Sequence, residues 1–147
     1  MTAMTLSEIA SFLALAAIPV SVVTARWQLR AQVETTRNQA RIATYRIFQA
    51  SLNQFRRTLI ANEVDLQELF EMDQDVHDGT GPVLEMGPPD VARLVHQLGE
   101  ACGKVTQEVR GGLHGTREAR QEAWRTTVQP LRIELNQAIR HATGQRP

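Results

Sequence analysis

Apolar residues follow one another almost without interruption near the start of the chain. Residues 9–25 carry no charged side chain, and the run Leu6–Ala25 is twenty residues long. A helix of that length spans about 30 Å, the thickness of a bilayer's hydrocarbon core. The pattern therefore predicts a transmembrane anchor over residues 1–25. A cleavable signal peptide and a buried core helix are the alternatives, although the run is not preceded by the Lys or Arg that a signal peptide requires.

The residues directly after this run indicate its orientation. Arg26 and Arg30 flank Trp27, an aromatic residue of the kind found at membrane interfaces. The only charge before the uncharged residues 9–25 is Glu8, and positively charged residues favour the cytoplasmic side. We therefore expect Arg26, Trp27 and Arg30 to lie near lipid, with the N-terminus outside and the C-terminal domain in the cytoplasm. Residues 26–44 are predicted to form a basic juxtamembrane helix.

A second pattern begins at Tyr45, where apolar residues recur at alternating spacings of three and four. This spacing places them on one face of a helix, which we expect to end near Met72. The seam formed in this way consists of Tyr45, Phe48, Leu52, Phe55, Leu59, Asn62, Leu66 and Leu69. Its apolar members are the predicted interaction residues, and they hold either the chain's own bundle or an oligomer.

The rest of the chain predicts one long loop and two further helices. Residues 73–90 are rich in Asp, Gly and Pro, which is typical of a loop. Asp90 and Thr116 are the expected N-caps of the two helices, and Pro130 should kink the second one near residues 125–126.

These elements predict an all-α fold. The anchor continues into the long helix, which packs with the two later helices as an antiparallel three-helix bundle. The alternative is that the long helix pairs with copies of itself as a coiled coil. The helical cytoplasmic domain covers residues 45–143, with an acidic loop at 73–90, and residues 144–147 form a tail.

Charge is unevenly distributed although the net charge is zero. Residues 26–60 have a net charge of +6, residues 61–100 of −9 and residues 101–147 of +4. Two interpretations stay open: the acidic middle folds back over its basic neighbours, or the charges belong to solvated helical faces. In the first interpretation the basic block of residues 26–60 lies near anionic headgroups.

Residue types that carry catalysis or bind metals do not occur at diagnostic spacings. There is no phosphate loop, dinucleotide fingerprint or paired-cysteine motif, and the four His fall on different predicted elements. The acids from Asp73 onward miss the calcium-loop spacing by one residue at both diagnostic positions. Cys102, the only cysteine, is predicted to be a buried thiol. We expect no catalytic residue, cofactor or metal, and no nucleic-acid partner, since the basic block lacks interleaved aromatics.

The chain also resembles a group of known proteins. The resemblance lies in the order of the anchor, Trp27-Gln28-Leu29-Arg30, Thr36-Arg37, Thr44-Tyr45 and the acidic Leu-rich segment Glu63–Phe70. In these features the chain is similar to small, uncharacterised bacterial membrane proteins with one N-terminal span and a basic juxtamembrane helix. Those proteins often carry a His-Pro-Glu-Leu-like step where Asn62-Glu63-Val64-Asp65 stands here. The resemblance implies a single-pass protein of the bacterial inner membrane and no assigned activity.

These features predict a membrane-anchored, non-enzymatic helical interaction or scaffold protein. Its expected partners are membrane lipid and either a second copy or another membrane or cytoplasmic protein. Small residues on one face of the anchor are a candidate self-association surface; they are Ser7, Ala10, Ala14, Ala17, Ser21 and Thr24. The alternative function is a tethered helical domain that senses a small ligand or cation, or a small enzyme. A third hypothesis is a lipid-surface regulator that acts through the basic block.

Overall fold

The regular elements of the chain are helices throughout its described part. The computed structural model describes the backbone of residues 6–144 and the side chains of residues 21–144. The elements are α1 (Leu6–Leu59), α2 (Leu66–Met86), α3 (Pro89–Arg110), α4 (Arg117–Ala123), a π-helical turn (Trp124–Val128) and α5 (Gln129–Ala142). The predicted all-α class is thus confirmed.

The chain divides into two units, Met1–Gln39 and Ala40–Pro147. In the first unit, every described side chain, from residue 21 to residue 39, is exposed. In the second unit, four helical segments pack together: the C-terminal part of α1, then α2, α3 and the α4–α5 segment. The prediction of a helical bundle is confirmed, but the bundle has one helix more than predicted.

The core of the second unit is built from one apolar face of each helix. Within α1 the buried positions follow the predicted spacing of three and four, so one face is removed from water. Phe55 and Trp124 meet in this core, with ring centroids 6.3 Å apart. The largest fully buried side chains are Phe48, Phe55, Leu52, Leu59, Leu69, Leu98, Leu135, Val76, Val83, Val91, Val95 and Val105.

The long helix predicted to reach Met72 ends earlier, at Leu59. Residues 60–65 form a turn, and a new helix begins at Leu66. The side chain of Asp65 accepts hydrogen bonds from the backbone N–H groups of Gln67 and Glu68, which is the geometry of an N-cap. Asp65 therefore starts a second helix at a place where the apolar spacing alone predicts a continuous one.

The loop predicted over residues 73–90 is wrong, because α2 continues to Met86. Leu69, Val76 and Val83 are fully buried and lie seven residues apart, as one helix face requires. Gly79 permits close packing: a Cβ built there would lie 3.4 Å from the Phe48 ring. Pro82 lies inside the same helix. Tertiary packing thus overrides the loop preference of the Gly and Pro residues.

The starts of the later helices agree with expectation in part. Helix α3 begins at Pro89 with Pro88 as its N-cap, two residues before the predicted cap Asp90, which lies in the first turn of the helix. Thr116 caps α4 as predicted, because its hydroxyl accepts a hydrogen bond from the Ala119 N–H at 3.1 Å. The predicted disturbance from Pro130 takes the form of the π-helical turn, in which the Gln129 N–H bonds the Trp124 carbonyl, five residues back.

Candidate functional site

The predicted interaction residues of the seam lie almost entirely in the chain's own core. Tyr45, Phe48, Leu52, Phe55, Leu59 and Leu69 are at most 3% exposed. Leu66 is 45% exposed, because it is the first residue of α2 rather than part of a continuous seam. Asn62 lies in the turn between the helices, where its backbone and side-chain oxygens accept from two Arg side chains. The seam therefore holds the bundle, and it is not available to a partner in this fold.

The predicted lipid-proximal residues lie in the exposed part of α1. We call residues 21–39 the basic segment. Arg26 and Arg30 are exposed there, and Trp27 is 75% exposed. The predicted anchor Leu6–Ala25 falls mostly on residues 1–20, whose side chains lie outside those described. Over the residues that the structure describes, none of the helices has a stretch long and apolar enough for a membrane span.

One face of the basic segment combines positive charge with aliphatic side chains. At 100° per residue, five of its residues fall within an arc of about 100°. This face, the basic stripe, consists of Arg26, Leu29, Arg30, Val33 and Arg37. Leu29 and Val33 are 62% and 61% exposed. None of the three Arg forms an ion pair with any described residue.

Helix α2 has an exposed face of opposite charge. Five carboxylates lie within an arc of about 100° on it, and α2 contains no Lys or Arg. This face, the acidic stripe, consists of Glu68, Glu71, Asp75, Asp78 and Glu85, all exposed. No described cation pairs with any of the five. The charged middle of the chain is thus a solvated helical face, one of the two interpretations that the charge distribution left open.

A groove lies beside the acidic stripe, between α1 and α2. It has a volume of about 290 Å³, and its lining comprises Thr44, Ile47, Ser51, Asp75, Asp78, Gly79 and Pro82. Ile47 is 65% exposed, and the Thr44 and Ser51 hydroxyls bond carbonyls of α1 itself. The groove therefore offers an apolar floor with two carboxylates at its edge, which fits an occupant that is both aliphatic and basic.

A buried polar cluster links α2 to α3. The Asp73 side chain is 8% exposed, and its Oδ1 atom lies 3.5 Å from His77 Nδ1 without a hydrogen bond. A Cβ at Gly103 would lie 3.5 Å from the His77 ring, so α3 packs directly against this pair. Burial raises the pKa of the Asp73 carboxyl, although His77 acts in the opposite direction. Burial and then the Asp73 charge raise the pKa of the Cys102 thiol, which is fully buried as predicted and inert in this setting.

The raised pKa of Asp73 predicts a pH dependence of stability. The folded chain holds this proton more tightly than the unfolded chain, so ionisation of Asp73 weakens the fold as pH rises through and above the ordinary carboxyl pKa. We expect Asp73→Asn to gain stability relative to wild type between about pH 3 and about pH 7. Urea unfolding of both proteins across this range measures the difference.

Asp75→Asn is the matched control, since Asp75 lies two residues further along α2 and is exposed. It should not reproduce the trend. A wild-type protein that kept or increased its advantage over Asp73→Asn at about pH 7 would mean that a partner stabilises the Asp73 carboxylate, contrary to the burial seen here.

Arg120 is a buried cation that sequence reasoning missed. It is 2% exposed, and its guanidinium donates to the carbonyls of Leu59 at 2.7 Å and Ala61 at 2.6 Å. Longer bonds reach the carbonyls of Asn62, His114 and Gly115. The side chain therefore closes the end of α1 and ties it to the turn before α4. Only its place on the buried side of α4, four residues before Trp124, could have indicated this role.

The described side chains do not converge on a metal centre: no three His, Cys, Asp or Glu residues among them are placed to hold an ion. Two further His residues pair locally, His96 with Glu100 at 3.3 Å and His114 with Glu108 at 2.7 Å, and His141 is exposed on α5. Comparison of the whole chain with protein-family models, with curated proteins and with solved structures finds no match.

Proposed function

We propose that this chain is a membrane-anchored, non-enzymatic helical interaction protein. In this proposal Leu6–Ala25 crosses the bilayer with the N-terminus outside, and the bundle lies in the cytoplasm at the inner membrane. The apolar run, the absence of Lys and Arg before it and the Arg residues after it support the orientation. The exposed side chain of Trp27 suits the interface between lipid and water.

The exposure of the basic segment carries the proposal. Residues 21–39 are helical, yet not one of their side chains is buried. A helix that is polar on most faces and packs on nothing is marginal in water, because packing supplies most of a helix's stability in proteins. Such a segment is accounted for by a surface outside the chain, and lipid headgroups and a protein partner are the two that we propose.

In this proposal partners bind the exposed faces of the bundle and not its buried seam. Its core residues are used internally, so partners must be met by exposed faces such as the acidic stripe. Three of the four His residues form local pairs, and Cys102 is buried. These observations favour a scaffold or adaptor over chemistry at a polar pocket.

Charged substitutions in the predicted span test the anchor. Leu13→Arg combined with Ile18→Arg should disfavour insertion by about 3 kcal/mol for each residue. We expect the tagged wild-type chain in the membrane fraction after cell fractionation, and the double variant largely in the soluble or aggregated fractions.

Val33→Arg is the control, because it adds the same side chain beyond the proposed span and should leave the protein in the membrane. Protease added to intact spheroplasts should remove an N-terminal tag and spare a C-terminal one. A wild-type chain that fractionates with soluble proteins would overturn the anchor, and a protected N-terminal tag with a cleaved C-terminal tag would reverse its orientation.

A further inference from the structure

We propose that the acidic stripe of one copy binds the basic stripe of a second copy, with an aliphatic side chain of the basic stripe seated in the groove between α1 and α2. This inference rests on the proposed function as an interaction protein, and it names the partner and both contact surfaces. The two surfaces occur in the same chain, so no further protein is needed.

Charge complementarity is the first argument for this contact. The acidic stripe has five carboxylates on one face of α2, and the basic stripe has three guanidinium groups on one face of α1. Within the described residues, neither stripe is neutralised by an ion pair. Opposed stripes of this kind steer association and fix the register of two helices.

The shapes of the two stripes also agree. Arg26 to Arg37 extends over about 17 Å, and Glu68 to Glu85 over about 25 Å, at 1.5 Å per residue. Each stripe covers about 100° of its helix, which is the width of a helix–helix contact. The basic stripe can therefore lie along the acidic one without leaving either helix.

Apolar contact adds to the free energy of binding, because exposed ion pairs are individually weak. Leu29 and Val33 lie between the Arg residues of the basic stripe and are more than half exposed. The groove offers Ile47, also more than half exposed, beside Asp75 and Asp78. A volume of about 290 Å³ admits one such aliphatic side chain with its neighbours' stems. Seating it would remove that side chain and Ile47 from water.

Paired charge reversals in the full-length chain test the contact. One variant is Asp75→Arg with Asp78→Arg, and the other is Arg30→Glu with Arg37→Glu. The wild-type chain in a zwitterionic detergent should self-associate in sedimentation velocity, and less so as salt rises. Each variant alone should associate more than about tenfold more weakly, because the substitutions change the net charge of one stripe from −5 to −1 or from +3 to −1 and so remove the complementarity. An equimolar mixture of the variants should recover association, since the unaltered basic stripe of the first variant complements the unaltered acidic stripe of the second.

Glu100→Arg with Glu134→Arg is the control for the Asp75 and Asp78 variant. It makes the same change in net charge at exposed positions outside the acidic stripe. It should associate as wild type does, and unchanged urea midpoints should show that all variants are folded. Undiminished association of both variants would place self-association elsewhere and overturn the inference. Loss without recovery in the mixture would overturn it as well, as would a wild-type monomer whose basic segment binds anionic vesicles. In each of these cases the proposed function is judged separately, by fractionation and protease accessibility.

Discussion

Replacing Arg120 by alanine is expected to lower the free energy of unfolding by roughly 3–5 kcal/mol. The substitution removes the donors that reach the carbonyls of Leu59 and Ala61 at 2.7 and 2.6 Å. The Leu59 carbonyl is at the end of α1, where the helix supplies no N–H partner, and the Ala61 carbonyl lies in the turn that follows. A buried acceptor left without a donor costs about 1–3 kcal/mol, and Arg120 serves several at once.

The geometry of Arg120 also predicts the result for a conservative change. Arg120→Lys keeps the charge but places its donors on one nitrogen, so it cannot reach both carbonyls as a planar guanidinium does. We expect an intermediate loss. Arg117→Ala, on the exposed side of α4, should change stability by no more than about 0.5 kcal/mol. Urea unfolding of the three variants makes the comparison, and similar losses for Arg117→Ala and Arg120→Ala would contradict the buried role of Arg120.

Truncation of Phe55 is expected to have an effect of similar size. Phe55→Ala should destabilise the bundle by about 3–5 kcal/mol, because the side chain is fully buried against Trp124 and leaves a cavity. Phe70→Ala is a control of the same residue type. Phe70 is 37% exposed, and its ring lies 4.9 Å from the Arg110 guanidinium carbon. Its truncation should cost about 1 kcal/mol or less.

Thermal and urea unfolding of the two Phe variants distinguish the internal seam from an intermolecular one. If Phe55 held an oligomer instead of the chain's own core, the loss for Phe55→Ala would depend on protein concentration. In the fold described here the loss is the same at all concentrations.

The helix boundaries show where apolar spacing is sufficient for prediction and where it is not. The face from Tyr45 to Leu59 was predictable, because its five seam positions are all apolar and all buried. The continuation of that face into α2 was hidden, since two of its positions hold Asp73 and Thr80, and only the apolar residues between them mark the helix. Polar residues on the core-facing side of a helix leave no signal in hydrophobic spacing.

The candidate functional surfaces were also predictable only in part from the sequence. The exposed face of the basic segment was predictable, because charge and exposure follow from sequence alone. The groove and the role of Arg120 were not, since both depend on residues far apart in the chain, such as Ile47 with Pro82 and Arg120 with Ala61. The contact of Gly79 with Phe48 belongs to the same class, because Gly in a polar stretch predicts a turn until its neighbour is known.

The π-helical turn at Trp124–Val128 also has a consequence for how the sequence evolved. Its backbone bond spans five residues instead of four, so the turn contains one residue more than an α-helical turn would. Pro130 lies at the start of α5 and lacks an N–H group. A missing N–H is tolerated at the start of a helix, because the N–H groups there have no partner within the helix. A related chain with an unbroken α-helix here would be one residue shorter between Arg120 and Leu135. A single-residue gap at that place in an alignment, accompanied by loss of Pro130, would therefore mark the insertion of one codon.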